Sequence, residues 1–239
     1  MTWSIVAHDP ASGAFAVAVT TCSFAVGASC PFVRAGVGAV ATQSMTNRYL
    51  GPAVLDGLAA GLAPAEAIEA ALARDDGRGL RQVHAVDARG RSAAWTGRNC
   101  VEWSGERTGA HVSVAGNMLA GGNVVGRTFE TFAAGVSLAL PERMMVALLA
   151  GEAAGGDRRG RQSAAMQLVT TEDFPDLNIR VDDHADPLGE LQRLVALWRS
   201  TWPARQGWSP TKANPSGNAD MDAIEAGWIA QGSDLRFRR

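Results

Sequence analysis

No apolar run in this 239-residue chain approaches the roughly 20 residues that a membrane-spanning helix needs, so no membrane role is expected. A basic excess is also missing. The formal net charge is -2, which argues against nucleic-acid binding through phosphate neutralisation. Cysteine is scarce: Cys22, Cys30 and Cys100 are odd in number and form no CxxC pair, so they read as buried or semi-buried thiols. Lysine is nearly absent beside arginine, a bias of base composition that says little about function. The opening residues lack the basic region and long apolar stretch of a signal peptide, which makes the cytoplasm the expected location. Tyrosine occurs once against seven tryptophans, and three of those lie beyond residue 200.

What remains is enough for one large domain or two small ones. Residues 2–8 and 14–21 read as two strands joined by the turn Asp9-Pro10-Ala11-Ser12-Gly13. In the second strand Phe15, Val17 and Val19 share one face and Ala14, Ala16 and Ala18 the other. A strand apolar on both faces is covered on both faces, and the alanine side permits close approach. Further strands are predicted at 36–43, 80–87, 91–97, 111–116, 163–170 and 178–181. Two helices fall within 52–73, broken by Gly61 and restarted at Pro64, where a missing N–H costs little. Others are predicted at 124–134, 141–153 and 187–199, with a short piece near 220–231. Hairpins dominate and regular βαβ alternation is absent. The expected fold is therefore α+β, a four-layer αββα sandwich of two mostly antiparallel sheets flanked by helices. Its domain spans residues 1–200. Residues 201–239 are read as an appendage that packs on the domain or on a partner subunit.

Thr2 opens the first strand. Threonine is small enough for the preceding initiator Met1 to be removed, which leaves a hydroxyl and a free α-amine on one residue. Such an amine has a pKa of about 7.7–8.0 and can serve as a base near neutral pH. An N-terminal Thr activated by its own amine needs no neighbouring histidine.

Five segments then carry a family likeness: TWSIVAHDPASG (2–13), RAGVGAVATQ (34–43), GNMLAG (116–121), AGGDRRGRQSAA (154–165) and RVDDHADP (180–187). Together they resemble a widespread bacterial family of unassigned function in the N-terminal-nucleophile (Ntn) hydrolase superfamily. The likeness covers about residues 2–200. It implies the αββα sandwich again, and amide-bond hydrolysis with Thr2 at the nucleophile position. In proteasome-like members a lysine lies beside the nucleophile. Arg34 resembles it in chain position, but arginine is always charged, so it would stabilise an alkoxide or bind a carboxylate rather than act as base.

Asn117, after a strand and beside Gly116, is the candidate oxyanion donor, with a backbone N–H near Gly116 assisting; otherwise the pair supports a turn. Thr20, Thr21 and Gln43 sit at strand ends where the superfamily often lines its cleft. The loop from Gly155 to Ser163 is the most polar constellation. Asp157, Arg158, Arg161 and Ser163 are read there as a carboxylate clamp, or else as a solvated loop with Arg–Asp pairs. It lacks the GxxxxGK[ST] spacing of a phosphate loop. Arg180, Asp182, Asp183 and His184 read as a salt-bridged helix start rather than a metal site, and no cofactor or metal is expected. His8, His84 and His111 read as isolated structural residues.

The expected function is a cytoplasmic Ntn-type amidohydrolase acting on a small amide or peptide-like, anionic substrate. Two rivals remain: a catalytically inactive Ntn-like binding or scaffold protein, and a hydrolase with an internal nucleophile such as Ser4 or Cys22. The tryptophan-bearing tail favours a homodimer, because exposed large apolar groups tend to be buried in contacts.

Overall fold

The computed structural model describes residues 2–230 and residue 232. Met1 and Gln231, the expected end of the short tail helix, lie outside the described residues. Two compact units divide the chain, Met1–Gln192 and Arg193–Arg239.

The first unit opens with β1 (Thr2–Asp9), β2 (Ala14–Thr21), β3 (Pro31–Arg34) and β4 (Gly38–Ser44). Helices α1 (Leu50–Ala59) and α2 (Pro64–Leu72) follow, then β5 (Arg81–Asp87), β6 (Ser92–Thr96), β7 (Gly105–Gly109) and β8 (Val112–Asn117). Next come α3 (Gly122–Ala134), α4 (Leu140–Ala153), β9 (Ser163–Val169) and β10 (Leu177–Val181). Helix α5 (Pro187–Gln206) crosses the boundary between the units, and α6 (Met221–Ala230) belongs to the second. In that second unit Trp208 and Trp228 meet edge to face, 5.1 Å between centroids.

The architecture is α+β. One sheet has six strands in the order β10-β9-β2-β1-β8-β7, the other four in the order β3-β4-β5-β6, and every pairing is antiparallel. Val6, Val17 and Val19 of the larger sheet and Ala39, Ala41 and Val86 of the smaller belong to one core cluster, so the two sheets share an apolar interior. Leu50, Val54, Ile68 and Leu72 from α1 and α2 pack with Val40, Val83 and Ala85 in a second cluster. Each such Val, Leu or Ile side chain fully buried stabilises the fold by roughly 1.5–3 kcal/mol. Helices α3 and α4 contact the larger sheet, and α4 reaches the alanine-bearing strand β2.

Glycine at two positions brings these elements close. A Cβ on Gly151 of α4 would run into the Thr128 hydroxyl and lie 3.0 Å from the Trp3 indole nitrogen. One on Gly116 would collide with Leu119 and approach Trp3 Cβ to 2.9 Å. Trp3 is thereby buried against helix and strand together, directly after Thr2.

Strands β3 and β7 were absent from the expected set. β3 has four residues. β7 reads Gly-Glu-Arg-Thr-Gly, with exposed residues along its middle, and is a strand because β8 supplies its ladder. Helix α5 runs to Gln206 rather than stopping at Arg199.

Candidate active site

Thr2 is the first residue of a central strand, held between β2 and β8. It stands opposite Asn117 in the β1–β8 ladder, while Thr21 stands opposite Ser163 in the β2–β9 ladder. The Thr2 hydroxyl donates to Thr21 Oγ1 at 3.2 Å. The start of β1, the end of β2, the end of β8 and the start of β9 therefore meet at one end of the larger sheet.

The Thr2 carbonyl faces two side-chain amides, Gln43 Nε2 at 3.4 Å and Asn117 Nδ2 at 3.5 Å. Both amides also donate to one atom, Gln82 Oε1, at 2.8 and 3.0 Å. Gln82 Nε2 in turn donates to the Gly116 and Gly105 carbonyls at 2.8 and 3.2 Å and to Thr96 Oγ1 at 2.8 Å. Gln43 Nε2 faces the Ala115 carbonyl as well, at 3.0 Å. Carbonyls accept only, so they fix which end of each amide is nitrogen.

That assignment orients a buried relay. Gln43 Oε1 accepts from Ser4 Oγ at 2.7 Å, which uses the single serine proton. His84 Nε2, 2.8 Å from Ser4 Oγ, is then the donor to it, and His84 Nδ1 accepts from Ser113 Oγ at 3.0 Å. Ser4, His84 and Ser113 are fully buried. Ser4 is consequently not an activated internal nucleophile: its partner histidine gives it a proton and takes none. Cys30 Sγ, 3.6 Å from Gln43 Oε1, is fully buried too, and burial pushes its thiol up to about 12.

Burial holds the His84 imidazole neutral, at about 3 against an ordinary 6.5. An unfolded chain takes up this proton as pH falls through about 6.5, and the folded chain does not until far lower. The stability contributed by neutral His84 is thus fully present above about pH 6.5 and is lost as pH falls towards 3. Urea unfolding is expected to lose on the order of 3 kcal/mol between about pH 7 and pH 4, with His84→Gln flattening most of that slope. A slope unchanged by the substitution would remove His84 as its source.

The loop between α4 and β9 closes the same end. Gly156 O accepts from Ala120 N at 3.0 Å, and Asp157 bridges Leu119. The buried Asp157 carboxylate accepts from Cys22 N and Arg159 N, each at 2.8 Å, and pairs with Arg159 Nη2 at 3.2 Å. Arg159 Nη2 also reaches Ser23 Oγ at 3.3 Å. One residue past Thr21, a carboxylate thus fixes a half-exposed guanidinium. Arg158 is exposed and pairs with no carboxylate among the described residues.

Other sequence candidates go elsewhere. Arg34 pairs with Asp56 at 2.8 Å, and its ladder partner is Gly38, five positions from Gln43 on β4. At about 3.4 Å per residue it lies roughly 17 Å from the Thr2 end and cannot act on Thr2. Arg161 pairs with Glu152 at 2.6 Å and Asp186 at 3.5 Å, and its side chain, like that of the Asp157-paired Arg159, stays half-exposed. Ser163 is buried, donating to Ser23 O at 2.6 Å and accepting from Val26 N at 3.1 Å, which makes it a brace for the Cys22–Val26 turn. Asn117 shares its amide between Gln82 and the Thr2 carbonyl, a positioning geometry rather than an open oxyanion donor. Thr20 donates to Ser163 O at 3.1 Å. Arg180 and Asp182 pair at 2.8 Å. His8 and His111 meet through Nδ1 atoms 3.1 Å apart at the opposite end of β1. Among the described residues no group of three His, Cys, Asp or Glu side chains is placed to hold a metal ion.

A family model described as "Family of unknown function (DUF1028)" matches residues 2–191. The chain belongs to the DUF1028 family. A crystal structure of protein SPO2555 from Silicibacter pomeroyi, of the same family, is 32% identical with a TM-score of 0.85, over 92% of this chain and 96% of that one. Anbu (ancestral beta-subunit) from Yersinia bercovieri aligns over 82% of this chain and 96% of its own at 12% identity and a TM-score of 0.38, too slight a likeness to carry an argument. No curated protein matches.

The DUF1028 match begins at Thr2; Gln82 and Ser113 near it are not among the sequence candidates, His84 is read there as isolated, and Arg159 only as one arginine of the polar loop. A signal for two of them was present. Gln82 and His84 alternate on one face of a strand whose other face carries Val83 and Ala85. Polar residues at period 2 in a strand buried on both faces imply a polar partner across the interior. Choosing among Arg158, Arg159 and Arg161 had no such signal, because each is one residue of an irregular loop.

Proposed function

We propose that this DUF1028 chain is an Ntn-type amidohydrolase built as a four-layer αββα sandwich, with Thr2 as nucleophile. The observation that supports it most is the place of Thr2. It begins the central strand, its hydroxyl on Thr21, at a sheet end where a fixed guanidinium also lies. With Met1 removed, the α-amine takes the hydroxyl proton as Oγ1 attacks an amide carbonyl. The C–N bond breaks, the amine leaves with that proton, and water then hydrolyses the threonyl ester. Gln43 and Asn117 hold the Thr2 carbonyl, which fixes the backbone that presents nucleophile and base. Arg159 supplies positive charge for an anionic substrate. The proposed location is the cytoplasm. Among the described residues no helix is long and apolar enough to cross a membrane.

A second reading is a binding protein that keeps the fold without the chemistry. It is favoured by the burial of Thr2, 8% exposed, and by the committed amide of Asn117. Intact-mass measurement on protein from its natural host separates the two. Loss of Met1, followed by hydrolysis of members of an amide panel, is the result expected. Complete retention of Met1 would sink the nucleophile reading.

A further inference from the structure

His8 and His111 close the end of the larger sheet that lies away from Thr2. His8 follows Val6 on one face of β1, is 8% exposed, and stacks on Phe15 of β2 with 4.6 Å between ring centroids. His111 forms the turn between β7 and β8 at φ +65°, a left-handed conformation that non-glycine residues rarely adopt. Its backbone is pinned on both sides. His111 O accepts from His8 N at 3.0 Å, and His111 N donates to Gly90 O in the β5–β6 turn at 2.7 Å. The imidazole packs against Gly90, where a Cβ would overlap it. One strained residue thus joins the turn ends of three hairpins, β1–β2, β5–β6 and β7–β8, drawn from both sheets. The side chains complete the joint, with His8 Nδ1 and His111 Nδ1 at 3.1 Å.

Two nitrogens at that distance share a single proton. One ring donates its Nδ1–H; the other accepts and carries its own proton on Nε2. A first extra proton goes to the donor ring's Nε2 and leaves the bond intact. A second has only the accepting Nδ1 left, so it sets N–H against N–H and cation beside cation. Burial, and then the His111 ring, push His8 below its ordinary 6.5, while Asp9 and Asp87 act the other way. Asp87 is paired with Arg91 at 2.7 Å, Asp9 interacts with Arg143 of α4, and Arg89 in the Gly90 turn is exposed. We propose that His8 and His111 form an acid-released latch: the second protonation of the pair parts the rings and frees the β7–β8 turn, opening the Phe15 end of the sheets while the Thr2 end stays closed. An imidazole in the opened turn protonates through about 6.5, whereas the closed pair resists its second proton. The closed form is therefore fully favoured above about pH 6.5 and loses ground as pH falls below it.

Amide hydrogen exchange of the full-length protein, read by mass spectrometry and corrected for its intrinsic pH dependence, tests this at about pH 7.5 and about pH 5. Protection is expected to fall at least about ten-fold in peptides covering residues 8–14, 88–91 and 109–113, and to hold in those carrying Thr21 and Gln43. His111→Asn keeps a residue that tolerates the left-handed backbone, and His8→Phe keeps a ring on Phe15. In both, the fall should shrink to less than about two-fold. Protection in the three turns that does not change with pH overturns the latch. So does an undiminished fall in His111→Asn, or a fall shared by every peptide, which would place the response in global unfolding. Where a variant does not fold, nitrogen NMR of the imidazoles in the unaltered protein decides. Two well-separated protonation steps for the pair uphold the latch, and two independent steps near about 6.5 overturn it.

Discussion

Thr2→Ala, made in protein that has lost Met1, is expected to lower kcat/KM for amide hydrolysis by at least about a thousand-fold, or ~4 kcal/mol of transition-state stabilisation. Alanine is also small enough for Met1 to be removed ahead of it, so the α-amine stays and only the hydroxyl is lost. Thr2→Ser restores a hydroxyl and should recover much of the activity. Stability should change little, because the Thr2–Thr21 hydrogen bond is a neutral one, worth about 1 kcal/mol. Mass spectrometry of quenched reactions provides a second readout: an acyl adduct on the N-terminal residue in the parent protein and none in Thr2→Ala. Activity surviving in Thr2→Ala would move the nucleophile elsewhere.

The second large effect concerns Gln82. Its amide oxygen receives Gln43 and Asn117, and its nitrogen serves two backbone carbonyls and Thr96. Gln82→Leu keeps the size of the side chain and strips every one of these bonds. It takes one partner each from two buried amides and from the Gly116 and Gly105 carbonyls, at about 1–3 kcal/mol wherever no remaining partner compensates. Partial rearrangement and the added apolar surface offset some of this, leaving an expected loss of about 4 kcal/mol in urea unfolding. The same substitution releases the amides that hold the Thr2 carbonyl, so in the surviving folded fraction kcat should fall more than KM rises. A loss below about 1 kcal/mol would mean that water takes the place of the amide.

The two hairpins, the break between α1 and α2, and the long helices were legible because each rests on local signals: turn residues, Pro64 at a helix start, apolar spacing. β7 was illegible because its identity comes from β8 across the ladder and not from its own residues. The same divide runs through the site. Thr2, Thr21 and Asn117 were found from their place at strand ends, which the sequence displays. That Asn117 turns to Gln82, that Arg34 spends its charge on Asp56, and that Asp157 chooses Arg159 are contacts between residues 2 to 35 positions apart. They depend on how the sheets face each other and how one loop folds back, and no spacing rule contains that.

The central position of β1 has a practical side. Its first residue emerges between two neighbouring strands, not at a sheet edge. Anything fused ahead of Thr2 must leave through the crowded space bounded by Thr21, Asn117 and the Gly156–Arg159 loop. An affinity tag at that end would sit over the very group to be assayed, and a cleavage scar of a single residue would acylate the amine. Recombinant protein for every experiment above should carry its tag at the other terminus.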